Sequence, residues 1–70
     1  MGNKVKAARV LKGIKQKDIA DKLGISVNAY SLKENNKQNF SLEQAKIVSN
    51  MLDTTIDELF FGDTEEVVKK

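Results

Sequence analysis

The sequence predicts an all-α domain of five short helices, and three observations carry that expectation. Apolar residues recur at three- and four-residue spacing nearly throughout, with no strict alternation that would argue for a strand. Gly13 and Gly24 stand where two short periodic segments stop. Ser41 with Gln44, and Thr55 with Glu58, have the spacing of reciprocal caps at helix starts. A chain of 70 residues allows one small domain, in which burial only just offsets chain entropy.

The first helix is expected over about residues 3–12, with Val5, Ala8 and Leu11 as its inner stripe and Gly13 closing it. A second spans about 16–23, with Ile19, Ala20 and Leu23 inward and Gly24 at its end. Ser26 is placed to cap a third helix over about 27–34. The polar run "NNKQN" (35–39) reads as a loop. Ser41 then opens a fourth helix whose buried face is Leu42, Ala45, Val48 and Leu52, with Ile47 and Met51 beside it. Thr55 starts a last helix ending near Phe61, and residues 62–70 read as a flexible tail in which Glu65 and Glu66 can pair with Lys69 and Lys70.

Composition removes several classes of function. There is no Cys, hence no disulfide or thiolate metal site, and no His, the commonest general base and metal ligand. No calcium-loop pattern appears, and no apolar run approaches the roughly 20 residues that span a bilayer. "MGNKVKAARV" lacks the apolar centre of a signal peptide, and Lys6 stands where a myristoylation motif needs Ser or Thr. The expectation is a soluble cytoplasmic protein with no enzymatic activity, metal, cofactor or small-molecule ligand.

The net charge of +2 hides an asymmetry. Residues 1–40 hold nine basic side chains against three acidic ones, whereas residues 41–70 hold three against seven. Such a division suits a basic face for a polyanion with the acidic end turned away, although an ordinary solvated surface would also show it.

The stretch "QKDIADKLGISVNAYSLKE" (16–34) explains why two short helices share so tight a corner. A steep crossing needs a small side chain, supplied by Ala20, and the turn needs a residue at positive φ, supplied by Gly24. Ile25 anchors the far side of the corner and Tyr30 points the third helix's inner face inward. The pair reads as a helix-turn-helix, whose second member is free to enter a DNA major groove.

"QKDIADKLGIS" followed by "SLKENNK" resembles the helix-turn-helix of the phage repressor and Cro family. The resemblance runs from about Val5 to Phe60, because "SLEQAKIVSNMLDTTIDELF" is also similar to that family's fourth and fifth helices. It implies a compact, lambda-repressor-like DNA-binding domain over residues 1–61, with Ala20 and Gly24 setting the corner. It further implies that Arg9 pairs with Glu34, bracing the first helix against the end of the third. At the start of the second helix it places Gln16 on a DNA phosphate, with Lys15 and Lys17 adding charge beside it. Asn35 and Lys37 match positions holding the backbone on the far side; solvated surface residues would explain Lys17 and Lys37 equally well.

Base reading is implied for Val27, Asn28 and Leu32, with Ser31 adjacent. Asn28 suits adenine N6 and N7, and Val27 a thymine methyl; Leu32 suits either a methyl contact or packing against a neighbouring element. The chain departs from the family pattern at Lys15, Tyr30, Lys33 and Asn36. Tyr30 must find a partner for its hydroxyl, Lys33 must carry its ammonium outward, and Asn36 must accept a left-handed backbone. Leu32 and Lys33 could exchange inward and outward roles by a small rotation.

The functional expectation is sequence-specific binding of a double-stranded DNA operator by a bacterial or phage transcriptional regulator, a repressor, with two copies on adjacent half-sites. The chain has no room for a separate ligand-binding or cleavage domain. Ile56, Leu59, Phe60 and Phe61 would pair copies, or else Ile56, Leu59 and Phe60 would close the core and leave Phe61 exposed. The competing reading is a protein-interaction module that turns the same third helix to a protein partner.

Overall fold

The computed structural model describes residues 3–60. Five helices follow in order: α1 (Val5–Lys12), α2 (Gln16–Leu23), α3 (Val27–Glu34), α4 (Leu42–Met51) and α5 (Ile56–Phe60). No strand occurs among the described residues. Phe61 and the expected tail, with its Glu–Lys pairs, lie outside them.

One left-handed residue ends each of the first four helices, and the hydrogen bonds are the same each time. After α2, Gly24 (φ 72°) donates its amide to Asp21 O at 3.2 Å and Ile25 donates to Ala20 O at 3.0 Å. After α1, Gly13 (φ 73°) donates to Val10 O and Ile14 to Arg9 O. Asn36 (φ 66°) and Asp53 (φ 58°) take the same place after α3 and α4, where Lys37 N bonds Leu32 O and Thr54 N bonds Ser49 O. The arrangement consumes the carbonyls a helix end would otherwise leave unpaired, and it turns the chain sharply. Asn36 therefore holds the conformation expected of it, and Asp53 does so without having been foreseen.

The helix starts divide by chemistry. Ser26 Oγ accepts from Ala29 N, and Ser41 and Gln44 form the full reciprocal box. Thr55 Oγ1 accepts the Glu58 amide at 3.1 Å, one half of the expected pair. At α1 the Asn3 side-chain Oδ1 accepts from Val5 N at 3.0 Å, and the helix begins at Val5 rather than at residue 3.

The core is Val5, Ile19, Ala20, Tyr30, Val48, Leu52 and Leu59, gathered from all five helices or the residue that closes one. Ala20 is fully buried, as the close packing of α2 on α3 requires. Phe40 stands edge-on between Tyr30 and Phe60, with ring centroids 6.1 and 5.5 Å away. Such edge-to-face pairs add to what their buried area contributes.

Two expected core residues lie outside. Leu11 is 87% exposed. At about 100° per residue it stands roughly 240° around the helix from Val5, whereas Arg9, at i+4, is only about 40° away and is drawn inward by Glu34. Leu42 is 67% exposed although it stands only about 20° around the helix from buried Ser49: it is the first residue of α4, ahead of the turns that carry the buried Ala45, Val48 and Ser49.

Candidate nucleic-acid interface

The outer face of α3 follows from how its inner face is held. Tyr30 and Glu34, four residues apart, are both buried, and the Tyr30 hydroxyl donates to Glu34 Oε2 at 2.9 Å. Helical periodicity then turns Ser31, Asn35, Asn28 and Leu32 away from this pair, within an arc of roughly 100°, whereas Val27, seven residues before Glu34, stands near the buried side and is open in the first turn of the helix. Val27 is 40% exposed and Leu32 38% exposed, and Asn28 is exposed as well. Lys33 is half-buried and carries its ammonium out to Asn39 O at 2.9 Å, so Leu32 faces outward and Lys33 lies along the side.

Ser31 and Asn35 are engaged with each other. The Asn35 carboxamide donates to Ser31 O at 2.9 Å and to Ser31 Oγ at 3.2 Å, covering the last turn of α3. The Ser31 hydroxyl, an acceptor in this pair, keeps its own O–H to donate, and Asn35 keeps its Oδ1 to accept.

Below this surface lies a carboxylate hub. Glu34 Oε2 accepts from Arg9 Nε at 2.6 Å and from Tyr30; Oε1 accepts from Gln16 Nε2 at 2.8 Å and from Arg9 Nη2 at 3.4 Å. Arg9 Nη1 also donates to Ile14 O at 2.8 Å, tying the loop before α2 to the same group. Burial alone would push the Glu34 carboxyl upward, but the bonds from Arg9, Gln16 and Tyr30 outweigh it and hold its pKa below the ordinary value. Burial, and then the bond to Glu34, raise the Tyr30 phenol, which keeps it a donor. The bond to Glu34 likewise raises the Arg9 guanidinium.

Gln16 thus has two connections to consider. Its carboxamide is half-buried and directed to Glu34, which brings the start of α2 against the end of α3. One Nε2 hydrogen is committed to the carboxylate and the second remains; Gln16 is itself the first residue of α2, where the Asp18 and Ile19 amides already donate to Lys15 O. Lys15 precedes α2 in extended conformation and makes no side-chain cap. Lys15, Lys17 and Lys37 are exposed, and Lys17 Nζ meets Asp21 at 3.0 Å in an open pair that costs little to separate.

Asn3 was not foreseen. Its amide donates to Lys33 O at 3.3 Å and to Asn36 Oδ1 at 3.0 Å, fastening the segment before α1 to the loop after α3. No spacing in the sequence signals a contact across 30 residues. The Tyr30–Glu34 bond, in contrast, has the i, i+4 spacing of neighbours on a helix.

Leu59 closes the core, while Ile56 and Phe60 are half-buried and line an open groove of about 470 Å³ with Phe40 and Leu42. No helix among the described residues is long and apolar enough to cross a membrane.

A corner closed by Ala20 and Gly24, with one short helix exposed along its outer face, defines a helix-turn-helix domain of the DNA-binding class. A helix-turn-helix family profile matches residues 5–59. The chain belongs to that family, the one of the phage repressors and Cro, whose members are DNA-binding transcription regulators. No curated protein matches the chain.

Proposed function

We propose that this protein binds double-stranded DNA sequence-specifically and represses transcription, with α3 seated in the major groove. The observation that supports this most directly is the division of α3 into a buried side, Tyr30 and Glu34, and open residues, Asn28 and Leu32 turned away from it and Val27 in the first turn. In this reading Asn28 bonds adenine, Val27 and Leu32 meet thymine methyls, and Ser31 lies at the edge of the contact. Gln16, Lys15 and Lys17 hold one stretch of phosphate backbone, and Asn35 and Lys37 another. The preponderance of positive charge in residues 1–40 agrees with a polyanionic partner. Two copies would bind half-sites about one helical turn, roughly 34 Å, apart, with Ile56 and Phe60 meeting across the symmetry axis. The protein would act in the cytoplasm, without catalysis or cofactor.

One observation favours the second reading, a protein partner for the same helix. Val27 and Leu32 make the exposed surface of α3 more apolar than DNA contact alone requires. Titration of labelled duplex at two salt concentrations separates the two. A DNA reader loses affinity steeply as salt rises, by about 10³–10⁵ between 50 and 200 mM for six to ten phosphate contacts. Absence of binding to any duplex at low salt would sink the DNA reading and favour the protein partner. Selection from a random duplex pool would then give the operator, and its symmetry the number of copies bound.

A further inference from the structure

The carboxylate hub does more than join α1 to α3. Its two oxygens have different tasks. Oε2 receives the Arg9 Nε–H at 2.6 Å and the Tyr30 hydroxyl at 2.9 Å, which together fix the plane of the carboxylate. Oε1 is left to receive the Gln16 carboxamide at 2.8 Å, with only the long 3.4 Å approach of Arg9 Nη2 beside it. A carboxylate is acceptor-only, so it selects the amide end of Gln16 and turns the Gln16 oxygen away. The second Nε2 hydrogen is left for another acceptor at the first residue of α2.

We propose that Tyr30 and Glu34 are positioning residues for the phosphate contact at the start of α2: Tyr30 and Arg9 hold the Glu34 carboxylate, and the carboxylate orients Gln16 so that its remaining N–H meets the DNA backbone. The inference rests on the DNA reading given above. It assigns to a fully buried tyrosine a part in binding a ligand it never touches.

The charge balance is consistent with this. An unpaired carboxylate one hydrogen bond from a phosphate site would repel the phosphate; the guanidinium of Arg9 at 2.6 Å cancels most of that field. The same guanidinium, through Ile14 O, also fixes the loop from which α2 starts. Donor direction, local charge and backbone position at this site therefore share one origin. The phenol contributes a hydroxyl to a place where a purely apolar side chain would only fill space, and removing that hydroxyl leaves Oε2 to Arg9 alone and loosens the hold on the carboxylate plane.

The test is a double-mutant cycle on DNA binding. Tyr30→Phe keeps the ring that packs against Phe40 and removes only the hydroxyl. In the wild-type background it should weaken operator and random duplex equally, by about three- to tenfold, the net worth of one ordinary hydrogen bond. In the Gln16→Ala background it should have no further effect. Equal losses in both backgrounds, or no loss at all, would overturn the inference while leaving the DNA reading intact. A wild-type protein that binds no duplex overturns both. A measurement on the unaltered protein keeps the idea open to refutation should Tyr30→Phe fold poorly. The ¹⁵N side-chain signal of Gln16 should be that of an ordered carboxamide with one proton hydrogen-bonded, its other proton shifting when duplex is added. A freely averaging Gln16 amide that ignores duplex counts decisively against the positioning role.

Discussion

Arg9 Nε lies 2.6 Å from Glu34 Oε2 across 25 residues of chain, and the Glu34 side chain retains only 1% of its exposure. Two helices distant in sequence are therefore joined through a charge that has almost no water to fall back on. Surface ion pairs contribute little to stability, but removal of one member of a buried pair strands the other.

Arg9→Ala should accordingly cost about 3–5 kcal/mol and lower the melting temperature by more than about 10 °C. Thermal unfolding followed by circular dichroism measures it. Replacing both residues with apolar ones, Arg9→Met with Glu34→Leu, should recover part of the loss, because no charge is then left buried, although the Tyr30 hydroxyl loses its acceptor. An unchanged melting temperature in Arg9→Ala would show that the brace carries no load.

Acid should weaken the fold through the same group. The folded-state pKa of Glu34 lies below its unfolded value, so the stability it contributes is complete above the unfolded pKa, about 4.3, and is lost as pH falls through the lower folded value. Urea unfolding at pH 7, 4 and 2.5 should show a falling midpoint below pH about 4. In the double apolar variant that fall should be smaller; an equal acid sensitivity would assign it to other carboxylates.

Gly24 separates conformation from packing. A Cβ built on it meets nothing within 4 Å, yet its φ of 72° disfavours any L side chain. Gly24→Ala should thus cost about 1–2 kcal/mol by backbone strain alone. Gly24→Asn should cost less, since Asn enters that region more readily and already does so at residue 36. Equal costs for Ala and Asn would point to a steric cause instead.

Asn28→Ala and Lys37→Ala should fail differently on DNA. The first should cost about 1–3 kcal/mol at one base pair and relax selectivity there. The second should weaken all duplexes alike and reduce the salt slope by about 1. Competition titrations with single-base operator variants distinguish them. Should Asn28→Ala penalise random duplex as much as operator, base reading does not reside at that side chain.

The sequence made the helices legible because their punctuation is local: Gly13, Gly24, Ser26, Ser41 and Gln44 each act within one turn of where they stand. The corner was legible for the same reason. Leu11 misled because a three-residue spacing was followed past the point at which it leaves the buried face, and Leu42 because the stripe was extended to the helix's first residue, ahead of the turns that pack. The true i+4 neighbour of Val5 is charged, and only the partner 25 residues away explains why it faces inward. Leu11→Gln should therefore change stability by less than about 0.5 kcal/mol, whereas Val5→Ala should cost about 1.5–3 kcal/mol. Denaturant midpoints of the two variants would settle the assignment of the stripe. Arg9 and Glu34 could be paired by resemblance, but the convergence of Gln16 and Tyr30 on the same carboxylate is a tertiary event that spacing alone does not disclose. Asn3 is the extreme case, a short polar residue whose two acceptors lie on a distant loop.

The bond from Lys4 N to Leu59 O, at 2.8 Å, stitches the front of the first helix to the back of the last. A short bridge from Phe60 to Asn3 could therefore make the backbone a ring, which could be reopened in the bend at Asp53 and Thr54 without disturbing the corner between α2 and α3. The domain can in this sense be inserted into a host protein as a cassette, entering and leaving through one doorway.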